Sequence, residues 1–283
     1  MEDSMNKRDN LFFYFGRLNI ICPYTKQRKQ EYIYKSLNTC EKIIERNFKW
    51  GLFYINRIEY NNEVFVTGYL VKYKEENIEE VVDEDNRTLK TTKLQDKIIA
   101  KSEFILHLSS GLIAYRIIRN VIGNEQFKKQ FSKLIEKANN NCFINAEIQG
   151  INDEVKIFKA IKEFDIITSL YLTLHPSNPS NRQRWKETDE KLHKMQVEKY
   201  IEKYISKKGI IIEEDDQTFG NIIMAADGYG EAKIKGTKDG KQKEASTRKM
   251  QIKSSVPNMN MDEIIKFLYK DFKNILERFK NKK

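Results

Sequence analysis

Three turn dipeptides constrain this chain more than any other feature. Asn61-Asn62 and Ser110-Gly111 sit between runs rich in β-branched and aromatic residues, and Asp239-Gly240 sits between alternating segments. Asn and Gly tolerate positive φ, and Asp-Gly between alternating segments is a strong hairpin signal. Residues 49–60 and 63–73, 101–109 and 112–118, and 231–236 and 246–254 are therefore expected to pair as antiparallel hairpins. A chain with three such signals is not an all-helical bundle.

Amphipathic stretches lie between the hairpins. Residues 25–48 space Ile33, Leu37, Ile43 and Ile44 among charges, which predicts a helix. Residues 124–138 put Phe127, Phe131, Leu134 and Ile135 on one helical face, and residues 153–164 begin on Asp153, a good cap. Residues 182–206 read as one long charged helix. The stripe Ile264, Ile265, Leu268, Phe272, Ile275, Leu276 and Phe279 predicts a C-terminal helix over 261–282, its apolar side facing a core or a second copy. Residues 11–21, 143–149 and 166–174 read as strands, the last stopped by His175-Pro176-Ser177-Asn178-Pro179. Residues 74–93, with the acidic run 75–85, read as an exposed loop or short helix.

The expected class is therefore α+β: two antiparallel-sheet-plus-helix halves with a basic β-hairpin and a C-terminal helix. A length of 283 residues suits two domains or one large one. Asn139-Asn140-Asn141 breaks the helix before it. This predicts an N-terminal α+β domain at 1–139 and a C-terminal α+β domain, with the basic hairpin, at 140–283.

The formal net charge of +10 attracts polyanions, nucleic acid first and an anionic membrane surface second. A Lys-rich chain can carry such an excess on every face, so placement decides. Residues 231–253 hold Lys233, Lys235, Lys238, Lys241, Lys243, Arg248, Lys249 and Lys253 against Glu231, Asp239 and Glu244, a local +5. Lys233 and Lys235 alternate with Ala232 and Ile234, so both point to one face of a strand. A basic β-ribbon can lie along a duplex and meet phosphates. The plainer reading is an edge hairpin whose lysines block aggregation. A second cluster, Arg182, Arg184, Lys186, Lys191 and Lys194 with Trp185 among them, could hold phosphates at a helix start or simply pair with Glu187, Asp189 and Glu190.

Catalytic patterns are incomplete. No phosphate loop or dinucleotide fingerprint is present, and Ser109-Ser110-Gly111 lacks the frame of a nucleophile elbow. His107, His175 and His193 have no ligand spacing, so neither a zinc site nor any cofactor is expected. Cys22, Cys40 and Cys142 read as thiols of a reducing compartment. Glu213, Glu214, Asp215, Asp216 and Asp227 could collect magnesium. Asp227 with Glu231-Ala232-Lys233 is the one nuclease-like arrangement. No apolar run reaches 18 residues and Met1 to Asn10 is polar, so a cytoplasmic protein without membrane insertion is expected.

Lys101-Ser102-Glu103-Phe104-Ile105-Leu106 followed by Gly111-Leu112-Ile113-Ala114-Tyr115 is similar to the hydrophobic hairpin before a helix in the RexA-like phage-exclusion family. The strand at 166–174 ahead of a basic stretch, and the Lys- and Phe-rich helix at 266–280, match that family in placement. The resemblance implies a homodimeric, largely sequence-independent binder of double-stranded DNA. It would act in phage exclusion or abortive infection, without a cofactor. It fixes no individual contact. A partner role remains open beside it, with the acidic run docking on a second defence protein.

Overall fold

Positive φ appears where the turn dipeptides stand: 51° and 60° at Asn61 and Asn62, 71° at Gly111, 50° and 70° at Asp239 and Gly240. The computed structural model describes residues 10–21, 26–139, 145–177 and 182–278. In chain order the elements are β1 (Leu11–Ile21), α1 (Lys26–Thr39), β2 (Ile43–Glu45), β3 (Phe48–Tyr60), β4 (Glu63–Asp83), β5 (Thr88–His107), β6 (Leu112–Arg116), α2 (Asn124–Lys137), β7 (Asn145–Gly150), α3 (Glu154–Lys162), β8 (Ile166–Leu174), α4 (Lys186–Lys194), β9 (Tyr200–Ile205), α5 (Gln217–Met224), β10 (Gly230–Lys238), β11 (Lys241–Ser246), β12 (Lys253–Val256) and α6 (Met261–Glu277). The fold is α+β, as the hairpin signals and helical stripes predict. Among the described residues no helix is long and apolar enough to cross a membrane.

The chain forms two units: Cys22–Ser109 with Tyr115–Ala146, and Met1–Ile21 with Ser110–Ala114 and Glu147–Lys283. This differs from a single boundary near Asn139. The N-terminal strand belongs with the C-terminal unit because β1 pairs with β12, from Leu11↔Val256 to Tyr14↔Lys253.

In the first unit the strands run in the order β5-β4-β3-β2. Phe127, Phe131, Leu134 and Ile135 of α2 are buried, as their spacing predicts. Phe127 stacks on Tyr115 with centroids 4.2 Å apart, and Phe131 meets Phe104 edge-on at 5.1 Å. The expected helix at 25–48 stops at Thr39. Ile43 and Ile44 instead enter β2, which pairs with β3 across a turn where Arg46 has φ 56°. β-branched residues prefer that pleated setting to a helix terminus.

The expected loop or short helix at 74–93 is a strand pair. β4 and β5 stay paired out to Asp83↔Thr88, well beyond β3, with a one-residue register shift between Lys72 and Tyr73, forming a two-stranded arm. Ile78, Val81, Val82, Thr91 and Thr92 supply β propensity. Opposite charges across the strands do the rest: Glu79 pairs with Lys97 and Asp83 with Lys90, while Glu75 lies 2.7 Å from Lys49. At the tip Asp83 accepts from the Asn86 side chain at 2.8 Å.

In the second unit β1 lies between β12 and β6, and β7 also pairs with β1. The apolar stripe of α6 is core: Ile264, Ile265, Leu268, Phe272 and Ile275 are buried, and Phe272 meets Phe15 edge-on at 5.4 Å. Asn260 and Glu263 close a capping box at its start, Asn260 Oδ1 accepting from Glu263 N at 3.0 Å.

The rest of this unit is a four-stranded sheet in the order β11-β10-β8-β9. Its core holds Leu170, Leu172 and Leu174 of β8 and Ala232 and Ile234 of β10. They pack with Ile157 of α3, Leu192 of α4 and Phe219, Ile222 and Ile223 of α5. Helices therefore cover one face of the sheet. The expected helix at 182–206 is in fact a short turn, α4 and the edge strand β9. Gln196 adopts φ 54° after α4, and the β-prone Tyr200, Ile201, Tyr204 and Ile205 then pair with β8.

Candidate nucleic-acid interface

A strand in a one-sided sheet sends alternate residues to opposite faces. Ala232 and Ile234 face the helices, so Glu231, Lys233 and Lys235 face outward. The register extends this row by row. Lys233 stands opposite Tyr171 of β8, and Tyr171 stands opposite Lys203 of β9. Lys235, Ser169 and Ile205 form the next row, and Glu231, Thr173 and Ile201 the one before. The outward face is thus a lysine–tyrosine–lysine row edged by aliphatics. Tyr171 is 39% exposed, Ile201 51% and Ile205 69%.

Acids on this face are answered by bases. Glu244 lies 3.3 Å from Lys233 and 3.7 Å from Lys235, and Glu231 lies 2.8 Å from Arg248. Burial works against the Glu244 carboxylate, but the Lys233 hydrogen bond and the charges of Lys233, Lys235 and Lys249 hold its pKa below the usual range.

The basic residues read from the sequence do not share this face. Lys233, Lys235 and Arg248 reach it, and Lys249 acts on Glu244 there. Lys243 pairs with Gly236 in register and turns to the helix side, where it bonds Glu163 beside the Phe164 ring. That bond, with the charges of Lys243 and Lys238, depresses the Glu163 pKa. Lys238 and Lys241 flank the turn directly opposite each other. The expected strand at 246–254 is broken by a turn at Thr247–Met250, where Ser246 caps Arg248 N. Lys253 belongs to β12 in the other sheet, 5.5 Å from the Phe12 ring. Nor is the hairpin a free ribbon, since β10 is paired on both sides.

Arg184 is exposed, with its guanidinium 5.4 Å from the Phe219 ring. Arg182 turns inward. Its guanidinium donates to Asp227 at 2.7 Å and to both oxygens of Glu154 at 2.9 Å. The indole of Trp185 donates to the same Asp227 carboxylate at 2.8 Å. Arg17 donates to the Asp227 carbonyl at 3.0 Å and lies 4.7 Å from the Tyr229 ring. Burial pushes the Asp227 carboxyl up to about 6, with Arg182 opposing it. For Glu154 burial acts in the same direction, but the Arg182 hydrogen bond and the charges of Arg182, Arg278 and Arg184 outweigh it and lower the pKa. At neutral pH this is an ionised, buried cluster.

The cluster fixes an unusual turn. Ala225–Tyr229 is a single wide π-type turn, and Gly228 within it has φ 85°. A Cβ there would lie 2.8 Å from Ile151 and 2.9 Å from Arg17. The side-chain amide of Asn19 donates to the Gly228 carbonyl at 2.7 Å.

The nuclease-like acids are not brought together. Asp227 is fully buried, with its carboxylate bonded to Arg182 and Trp185, while Glu231 faces out and pairs with Arg248. Glu213, Asp215 and Asp216 are grouped, but on an exposed loop. Of the histidines, His175 and His193 each stand beside a carboxylate, Glu147 at 3.3 Å and Asp189 at 3.5 Å, and His107 is buried beside Ser109. Cys40 is a half-buried free thiol; Cys22 and Cys142 lie outside the described residues.

Tyr171 and Lys203 were missed by sequence reasoning. The alternation of Ser169, Tyr171 and Thr173 against Leu170, Leu172 and Leu174 carried the signal for the first. Lys203 was hidden by reading β9 as helix. No curated protein matches this chain. Residues 11–273 match the family described as a domain of unknown function (DUF4747), and the chain belongs to that family.

Proposed function

We propose that this protein binds nucleic acid without sequence preference, through the outward face of the four-stranded sheet and the tip of its β10–β11 hairpin. The observation behind the reading is the row Lys233–Tyr171–Lys203 with Lys235 and Arg248 around it, on the sheet face opposite the helices that pack on it among the described residues. The chemistry asks only for a phosphodiester chain: lysines neutralise phosphates and release counterions, with no geometry for reading base edges. The resemblance to RexA-like proteins adds duplex DNA, a homodimer and phage exclusion as the setting of this reading.

Fluorescence anisotropy with a random-sequence DNA duplex at several salt concentrations tests it. Binding is expected to weaken steeply with salt. Replacing Lys203, Lys233, Lys235 and Arg248 with Gln lowers the log–log slope by roughly 0.7–0.9 for each phosphate that is no longer neutralised. A wild-type protein that holds neither duplex nor single strand at low salt would sink the reading. A folded quadruple variant with unchanged affinity would move the site elsewhere.

A further inference from the structure

The same face has a property that a purely phosphate-binding surface does not need. Tyr171 stands in the middle of the sheet face, 39% exposed, with a lysine opposite it on each neighbouring strand. Adjacent strands lie about 4.8 Å apart, so the two lysines are about 10 Å from each other across the ring. Ile201 and Ile205, on the same face of the edge strand, add exposed apolar surface beside it. An aromatic ring between cations is the arrangement that holds an unpaired base: the ring takes the π-face and the ammonium groups take the phosphates on either side. A duplex buries its base faces against one another and offers this ring nothing.

We infer that the outward face of the β11-β10-β8-β9 sheet is a single-strand platform on which Tyr171 stacks a base while Lys203 and Lys233 hold the flanking phosphates. The ligand is single-stranded RNA or DNA, preferred over duplex. The inference rests on the phosphate-binding reading above and departs from the duplex that the RexA-like resemblance adds. The acids on the face are outnumbered: Glu231 is held by Arg248, and the single carboxylate of Glu244 lies between Lys233 and Lys235, so these two lysines with Lys203 leave the row net positive.

The test uses the full chain with three labelled probes of equal length: polyuridine RNA, polythymidine DNA and a DNA duplex. Wild type is compared with Tyr171→Ala and Tyr171→Phe at matched salt. Removing a stacking ring weakens single-strand binding roughly 5- to 100-fold, and Phe restores it, because the ring and not the hydroxyl stacks. The salt slope stays as in wild type, since every cation is still in place. Comparison of the RNA and DNA arms names the source of the strand. Equal affinity for duplex and single strands, or a Tyr171→Ala variant that binds like wild type, overturns the platform while leaving the phosphate-binding reading in place. Failure of all three probes to bind overturns both.

Discussion

Two hairpins of this molecule are dense in charge and arrange it in different ways. In the distal arm of β4 and β5, an acidic strand lies against a basic one. Glu79 meets Lys97 and Asp83 meets Lys90, so these two lysines are neutralised where they stand. In β10 and β11, Lys238 faces Lys241 and Gly236 faces Lys243, and one carboxylate, Glu244, answers both Lys233 and Lys235. The difference lies in the cross-strand register, and a run read along one strand does not contain it. An acidic stretch of sequence became an arm whose Lys90 and Lys97 are held by acids, whereas a basic one kept an excess of lysine.

The buried cluster at Asp227 is the limiting case of cancellation, and breaking it has the largest expected effect. Arg182 is the only cation bonded there to both the Asp227 and Glu154 carboxylates among the described residues. Arg182→Ala leaves the fully buried Asp227 carboxylate without its cation beside the half-buried Glu154, and removal of one partner of such a set costs about 3–5 kcal/mol. Chemical denaturation should show a midpoint shifted to match. A loss under about 1 kcal/mol would mean that water reaches the cluster, and that Arg182 is closer to the exposed lysines than its burial indicates.

That pair of arginines also marks where sequence reasoning ends. Arg182 and Arg184 are two residues apart and look alike in sequence, yet one is a buried ion and the other is exposed. The hairpin turns, the α2 and α6 stripes and the Asp153 cap were legible, because each depends on residues close in sequence. The arm, β9 and the destination of β1 were not, because each is settled by a partner strand. For β1 that partner lies more than 200 residues away. The candidate face was half legible. The alternation at Lys233 and Lys235 gave their shared side, but Tyr171 and Lys203 join them only through the register of β8 and β9.

Next in size is a contrast in binding. Neutralising Lys203, Lys233 and Lys235 to Gln should weaken nucleic-acid binding by about tenfold or more at moderate salt, since each removes a phosphate contact. Two changes on the arm, Lys90 and Lys97 to Gln, should leave affinity and salt slope near wild type, because those lysines are already paired with Asp83 and Glu79. Equal losses from the two sets would show that net charge alone drives binding, and the comparison between the hairpins would carry no functional meaning.

The smallest effect concerns the like charges that the register opposes at the tip of the β10–β11 hairpin. Lys238 and Lys241 face each other across the Asp239-Gly240 turn, an arrangement that repels. Lys241→Glu replaces repulsion with attraction and should stabilise the protein by a few tenths of a kcal/mol, about the worth of an exposed cross-strand pair. If the tip meets phosphates, the same change weakens nucleic-acid binding severalfold. A gain in stability with a loss of binding would show that the hairpin holds its lysines together against their own repulsion for the sake of a polyanion. A gain in stability with binding intact would confine the interface to the sheet face and leave the tip as a solvated turn.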